Sequence, residues 1–175
     1  TDLHGLGQKI AQAAAMMTDT TVTERVLGSA WPSNMSKPLA ELMHANILEV
    51  GLPEWSEADQ GMGGGSDDIA EISWNLPTVR LRYPGNSRGT TGHHWSSGIA
   101  MATPIAHKGA NYGARVIAMT AIELVADPAK VEEAWAYFRE ATTKDRQWQS
   151  LISAGTEPPI FLNAEKMERF RPTLE

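Results

Sequence analysis

The sequence has 175 residues, of which 42% are hydrophobic and 21% charged, and its net charge at pH 7 is −6. This size and composition are typical of a globular domain, and the acidic balance argues against a general nucleic-acid binder, which needs a basic face. No apolar run approaches the ~20 residues of a membrane span, so we expect no membrane partner. Because the chain has no cysteine, we expect a cytoplasmic protein without disulfides. From the start at Thr1 without Met we expect a processed, nicked or trimmed chain.

The first predicted elements are a helix, a strand and a second helix. Residues 8–17 are rich in helix formers. Residues 20–27 alternate in polarity and contain β-branched side chains, which predicts a strand. Residues 37–50 predict a helix, because Pro38 lies near its first turn and Gly51 follows its end.

The middle of the chain predicts loops around one short helix and one strand. Residues 54–65 end in a run of glycines and predict a loop, and residues 67–72 predict a short helix capped by Ser66 or Asp67. Residues 77–83 predict a second strand.

Residues 84–98 then form a predicted loop whose length is typical of functional segments. Two helices follow, a mostly apolar one at 107–125 that we expect to be buried, and an amphipathic one at 128–142. The alternation of helices and strands predicts an α/β fold, with too few strands for a complete sheet.

Two adjacent histidines, His93 and His94, lie in the long predicted loop. An imidazole there could bind a divalent metal, although exposed loop histidines without a role are the more common case. A catalytic zinc or manganese needs about three protein ligands, and elsewhere the chain offers only His4, His44 and His107. We therefore expect part of a metallohydrolase site here and the rest on another polypeptide.

Two further motifs have both a functional and a structural interpretation. Asp67 and Asp68 follow a glycine run and could lie beside a metal centre, but the motif alone favours a linker and a helix cap. His107 and Lys108 open a predicted helix and could hold a substrate carboxylate, although a capped helix start with a solvated lysine is more common. Trp95 beside His94 could line an aromatic pocket.

Three blocks of the sequence, in this order and spacing, resemble one enzyme family. The blocks are GSDDIAEISWNLPTVRLRYPG, GTTGHHW and PIAHKGANYGARVIAMTAIELVADP. They resemble the C-terminal part of the aminoacylase/carboxypeptidase G metallohydrolases (peptidase family M, number twenty), and look closest to the aminobenzoyl-glutamate hydrolase-like amidohydrolase branch. The upstream segment KIAQAAAMMTDTTVTERVLGSAWPSNMSKPLAELM resembles the end of that branch's lid domain.

The resemblance implies a domain organisation. Family members have a catalytic α/β domain with a dinuclear metal site and a smaller inserted α/β lid domain that usually mediates dimerisation. By this resemblance, residues 1–35 are the last helix and strand of the lid, and residues 36–143 are the C-terminal half of the catalytic domain. Residues 144–175 are a C-terminal tail that packs on that domain or on a partner.

The resemblance also implies site residues. His93 matches the family's last metal ligand. The family commonly has a smaller residue directly after that ligand, and this chain has His94 there, so His94 is the alternative ligand. Asp68 matches the acid beside the metal site and is the expected catalytic residue. The implied cofactor is one or two divalent ions, zinc or manganese.

The expected substrate-binding residues come from three places. His107 and Lys108 match the branch's Ala-His-Lys-Gly block, and Asn34 lies where the chain leaves the lid. Trp95 adds an aromatic side chain beside the histidines.

The family's His-x-Asp block, its catalytic Glu-Glu pair and most of its metal ligands have no counterpart here. The resemblance therefore implies a partner, the N-terminal half of the same enzyme as a separate chain, and a homo-oligomer formed through the lid. The expected reaction is hydrolysis of the amide of an N-acyl or aminobenzoyl amino acid by metal-activated water. The alternatives are removal of an amino group from an aromatic ring, and a non-catalytic binding or assembly module.

Overall fold

The computed structural model describes residues 3–51, 67–86, 89–152 and 154–171. In these ranges the chain is helical and contains no β-strand, so the predicted α/β fold is wrong for this part of the protein. Segments 20–27 and 77–83, both predicted as strands, are neither helix nor strand. Alternating β-branched residues favour a strand only where a neighbouring strand offers a pleated surface, and the described residues provide none.

The helices lie mostly where the sequence predicts them. In chain order they are α1 (Leu3–Met17), α2 (Lys37–Glu49), α3 (Ile69–Ile72), α4 (Trp95–Met101), α5 (Pro104–Ala126), α6 (Pro128–Tyr137), a π-helical turn (Phe138–Thr142), a 3-10 turn (Ile160–Asn163) and α7 (Ala164–Phe170). α4 interrupts the predicted loop at 84–98, and α7 has no predicted counterpart. The predicted loop at 54–65 and the alternative cap Ser66 lie outside the described residues.

Side-chain caps fix several of these helix starts. Asp67 accepts the backbone N–H of Ile69 ahead of α3, as its position predicts. Thr103 accepts the N–H of Ala106 at the start of α5, and Asp127 caps α6. Proline occupies the first turn of α2, α5 and α6, where its missing N–H costs no hydrogen bond.

Two compact units make up the chain, and the first is Thr1–Ser29 with Ser150–Glu175. Its helices α1 and α7 contain no buried residue. Polar contacts tie it together, among them a hydrogen bond from Gln8 to Glu24 and the Arg25 guanidinium 5.7 Å from the centre of the Phe161 ring.

The second unit, Ala30–Gln149, holds a small apolar core. Met43 and Val50 of the α2 region meet Val116 of α5, and Val116 is fully buried. Val79 and Leu81, from the segment predicted as a strand, pack on the same core. The segment therefore buries apolar side chains as predicted, but against helices.

The close approach of this segment to α5 requires glycine. A Cβ on Gly109 would lie 1.9 Å from the Pro84 carbonyl oxygen, and one on Gly113 would lie 2.8 Å from the Tyr83 ring. α5 is thus buried on one face only, which corrects the expectation of a buried helix. None of the helices in the described ranges combines the length and apolar composition that crossing a bilayer requires.

Candidate functional site

The two adjacent histidines occupy different local positions. His93 has a φ of 54°, in the left-handed region that few residue types adopt. Its ring is exposed and makes no hydrogen bond or ion pair with a described residue. His94 precedes α4, and its Nδ1 lies 3.3 Å from the Ser96 backbone nitrogen, whose N–H it accepts, and 2.7 Å from the Ser96 hydroxyl. Both ring nitrogens of His93 are therefore without a partner among the described residues, whereas the Nδ1 of His94 is used locally.

The acidic pair is also divided between two environments. Asp67 accepts the Ile69 N–H at 3.1 Å and forms an ion pair with Arg80. Asp68 begins α3, is exposed and makes no capping hydrogen bond. Local structure therefore accounts for Asp67 and leaves the carboxylate of Asp68 available.

Asn34 is held by contacts within its own unit. Its side-chain amide donates to the Thr142 carbonyl oxygen at 3.1 Å, and its backbone N–H donates to the Ser73 hydroxyl at 2.9 Å. Ser73 is fully buried. These bonds fix the loop before α2, which is a structural role, and the predicted substrate contact of Asn34 stays a prediction.

A tryptophan cluster surrounds the same loop. Trp31 and Trp74 are both nearly buried, and their ring centroids lie 4.9 Å apart. The Glu71 carboxylate accepts the Trp31 backbone N–H at 2.9 Å and also the Trp148 indole N–H. Sequence reasoning did not identify Glu71, because its partners lie tens of residues away along the chain. Trp31 and Trp74 are packing anchors, whereas Trp95 is 72% exposed and its ring centre lies 5.1 Å from that of His94, with the two rings tilted by 40°.

His107 and Lys108 lie in the first turns of α5, beside two shallow surface grooves. One groove of about 500 Å³ contains both residues, and the other, of about 510 Å³, shares only His107. Arg82 lines the second groove. The predicted substrate-binding pair thus borders concave surface that carries positive charge.

Two cations flank one tyrosine in the first groove. The Lys108 ammonium lies 5.9 Å from the centre of the Tyr112 ring, and the Arg115 guanidinium lies 6.0 Å from it. The signal in the sequence was the i, i+4, i+7 spacing, which places all three on one helix face. The sequence analysis did not single out Arg115. Tyr112 is half-buried, and it also packs against the apolar core of Met43, Val50 and Val116.

The described residues do not form a complete metal centre. No group of three or more His, Cys, Asp or Glu side chains among them could hold an ion, and a catalytic zinc needs about three protein ligands. His93 offers one imidazole, and Asp68 one carboxylate. The metal assignments of His93 and its alternative His94 therefore stay predictions.

Comparison with known proteins finds a weak similarity to a hydrolase subunit. The chain is similar to one subunit of the p-aminobenzoyl-glutamate hydrolase of Escherichia coli (strain K12), with 23% identity over 187 aligned positions that cover 77% of this chain and 39% of the relative. The chain thus spans well under half of the relative's length. This similarity supports the aminobenzoyl-glutamate hydrolase branch of the resemblance, while the wider family and the C-terminal placement stay predictions. No family model matches the sequence, and no solved structure matches it.

Proposed function

We propose that this chain is part of an amidohydrolase that cleaves the amide bond of an N-acyl or aminobenzoyl amino acid. The similarity to one subunit of a p-aminobenzoyl-glutamate hydrolase over 77% of the chain carries the proposal. The exposed His93 imidazole and the basic groove at the start of α5 support it. Substrates of this class carry a carboxylate, which the groove's positive charge would attract.

The proposal includes dependence on a divalent metal, zinc or manganese. We assign His93 as this chain's metal ligand in preference to His94. The Nδ1 of His94 accepts the Ser96 N–H, which in a neutral imidazole places the proton on Nε2 and leaves no free lone pair for a metal. Asp68 is the acid beside the site, and its free carboxylate supports that assignment. Because the described residues lack a complete ligand set, the proposal places the other ligands on a partner chain.

Exposed apolar surface supports such a partner. α5 exposes large apolar side chains beside and behind its buried face; they are Ile105, Ile117, Ile122 and Val125, between 52% and 84% exposed. Extensive exposed apolar surface is typical of protein interfaces. We propose that the chain carrying the remaining ligands covers part of this exposed apolar surface. Self-association through residues 1–35 belongs to the same proposal, since α1 exposes Leu3, Leu6 and Ile10.

The first experiment asks whether a second chain is present. The intact mass under denaturing conditions is measured together with the native mass of the same purified protein. A co-purifying second chain supports the two-chain enzyme, and that complex is then assayed for hydrolysis of p-aminobenzoyl-glutamate with added zinc or manganese and after chelation. Absence of a second chain, together with no hydrolysis, contradicts the proposal.

The metal assignment is tested in the same assay. His93→Asn removes the imidazole but keeps a residue type that tolerates positive φ, so its effect reports ligand loss and not backbone strain. Since loss of supporting groups around a metal ligand alone costs about 10–100-fold, we expect activity to fall at least about 100-fold. His4→Asn, on exposed α1, is the matched control and should keep full activity. Equal activity of His93→Asn and the unmodified protein would show that His93 is not a ligand.

Two alternatives have an observation of their own. The exposed Trp95 beside His94 favours an aromatic substrate and hence an aminohydrolase that releases ammonia from an aromatic ring. The incomplete ligand set among the described residues favours a non-catalytic binding or assembly module. Measuring ammonia beside the free amino acid in one assay separates the first from amide hydrolysis, and absence of both products favours the second.

A further inference from the structure

The distribution of charge along the chain is uneven. Residues 72–122 contain no aspartate or glutamate, although the whole chain carries a net charge of −6. The same stretch contains five cationic side chains, which are Arg80, Arg82, Arg88, Lys108 and Arg115. A local excess of one sign in a concave surface attracts ligands of the opposite sign.

Lys108 and Arg115 concentrate this charge in one place. Both lie within about 6 Å of the Tyr112 ring, in the groove of about 500 Å³ that His107 and Asn111 also line. Neither cation forms a salt bridge with a carboxylate of the described residues. By contrast, Arg80 is paired with Asp67. The charge of the groove is therefore available to a ligand.

We propose that this groove is the carboxylate-binding subsite of the enzyme, with Lys108 and Arg115 as its anion-binding pair and Tyr112 between them. An arginine guanidinium can donate two parallel hydrogen bonds to a carboxylate, and the lysine ammonium adds a second positive charge. The tyrosine ring offers an apolar face and a hydroxyl to the rest of the ligand. The ligand class, an N-aroyl amino acid, rests on the proposed function.

This arrangement assigns a role to Arg115, while Tyr112 is half-buried and also packs against the apolar core. The helix start by itself would hold an anion at its first N–H groups, but Thr103 already accepts the Ala106 N–H there. Arg115 lies about three turns from the start of α5, where the helix N-terminus contributes little because its effect falls off within the first turn. Binding that depends on Arg115 therefore reports the groove and not the helix start.

The test is direct binding of N-benzoyl-glutamate to the purified chain by calorimetry at low salt. We expect Arg115→Gln and Lys108→Gln each to raise the Kd at least about fivefold, in line with the strength of charge-assisted hydrogen bonds. Lys108→Arg should restore most of the affinity because it keeps the charge. Lys37→Gln, which removes an exposed cation paired with Glu41 on α2, is the matched control and should leave the Kd unchanged.

Two further ligands define the chemistry that the groove recognises. The uncharged dimethyl ester of N-benzoyl-glutamate should bind at least about tenfold more weakly, since it lacks both carboxylates. Inorganic phosphate should compete only weakly, because it offers nothing to the Tyr112 ring. Equal binding of acid and ester, equal competition by phosphate, an unchanged Kd in Arg115→Gln, or no binding at all would each overturn the subsite.

The binding experiment and the hydrolysis assay test the groove and the proposed function separately. Charge-dependent binding without amide hydrolysis by any assembly of the protein would contradict the proposed function and keep the groove. If the protein hydrolyses the amide and Arg115→Gln leaves the KM unchanged, the proposed function stands but the groove does not bind the substrate.

Discussion

The two longest helices of the described chain, α1 and α5, are both rich in alanine but have different surroundings. α5 buries five residues along one face, namely Ala106, Gly109, Gly113, Val116 and Thr120, whereas α1 buries none. A helix of the length of α1, 15 residues, is marginal in water without tertiary packing. The contrast shows that packing on one face, more than helix propensity, stabilises α5.

Glycine substitutions test this contrast most strongly. Gly109→Ala would place a Cβ 1.9 Å from the Pro84 carbonyl oxygen, and backbone atoms cannot move aside as a side chain can. Overpacking of this kind costs about 3 kcal/mol, so we expect a large drop in the free energy of unfolding in urea.

The same substitution in α1 should have the opposite sign. A Cβ on Gly7 meets nothing within 4 Å, and alanine is favoured over glycine inside a helix by about 0.5–1 kcal/mol. Gly7→Ala should therefore raise the helical signal in circular dichroism. Two substitutions with equal effects would mean that α5 does not approach residue 84 as closely as described.

Removal of apolar groups gives the next largest effect. Val116 is fully buried in the core between α2 and α5, so Val116→Ala should cost about 2 kcal/mol, from two lost methyl groups and the cavity they leave. Ile10 of α1 is 62% exposed, and Ile10→Ala should change the free energy of unfolding by less than about 0.5 kcal/mol. A large cost at Ile10 in the isolated chain would show that α1 is packed against an apolar surface.

The helices could be predicted because their signals are local. Pro38 at the start of α2 and the apolar spacing of α5 and α6 need no knowledge of the rest of the protein. The predictions of strands at 20–27 and 77–83 were wrong. Strand formation depends on a neighbouring strand to pair with, and the local sequence pattern does not show whether one exists. In the structure, Gly109 and Gly113 admit segment 77–86 against a helix instead.

The candidate site was predictable only as residue types. The sequence indicated His93, His94, His107 and Lys108, and the structure places the last two beside a groove. The sequence could not show that Ser96 hydrogen-bonds to the Nδ1 of His94 while His93 has no described partner, since that depends on the backbone conformation of this loop. The spacing of seven residues between Lys108 and Arg115 is visible in the sequence and places both on one helix face. The sequence does not show that Arg115 contacts the Tyr112 ring, and this contact is what relates the two cations to each other.

The smallest expected effect comes from a polar network near the end of α5, whose more exposed counterpart at α1 is the contact of Gln8 and His4 with Glu24. Buried Asn46 donates to Glu123 at 2.8 Å, and Lys130 donates to the same carboxylate at 2.6 Å. The hydrogen bond from Lys130, followed by that from Asn46, holds the pKa of Glu123 below its usual value of 4.5. The hydrogen bond to Glu123 in turn raises the pKa of Lys130 above its usual value of 10.5.

These directions fix the pH dependence. The stabilisation of the fold by Glu123 is fully present above pH 4.5 and is lost as the pH falls through its lowered pKa. The stabilisation by Lys130 is fully present below pH 10.5 and is lost as the pH rises through its raised pKa. Glu123→Gln should therefore weaken the loss of stability on acidification below pH 4.5, measured by urea unfolding across that range. Both side chains are more than a third exposed, so the difference should be small and should shrink further in high salt. In a double-mutant cycle, adding Lys130→Gln to Glu123→Gln should cost less than Lys130→Gln alone, and fully additive costs would mean that the two charges do not stabilise α5 together.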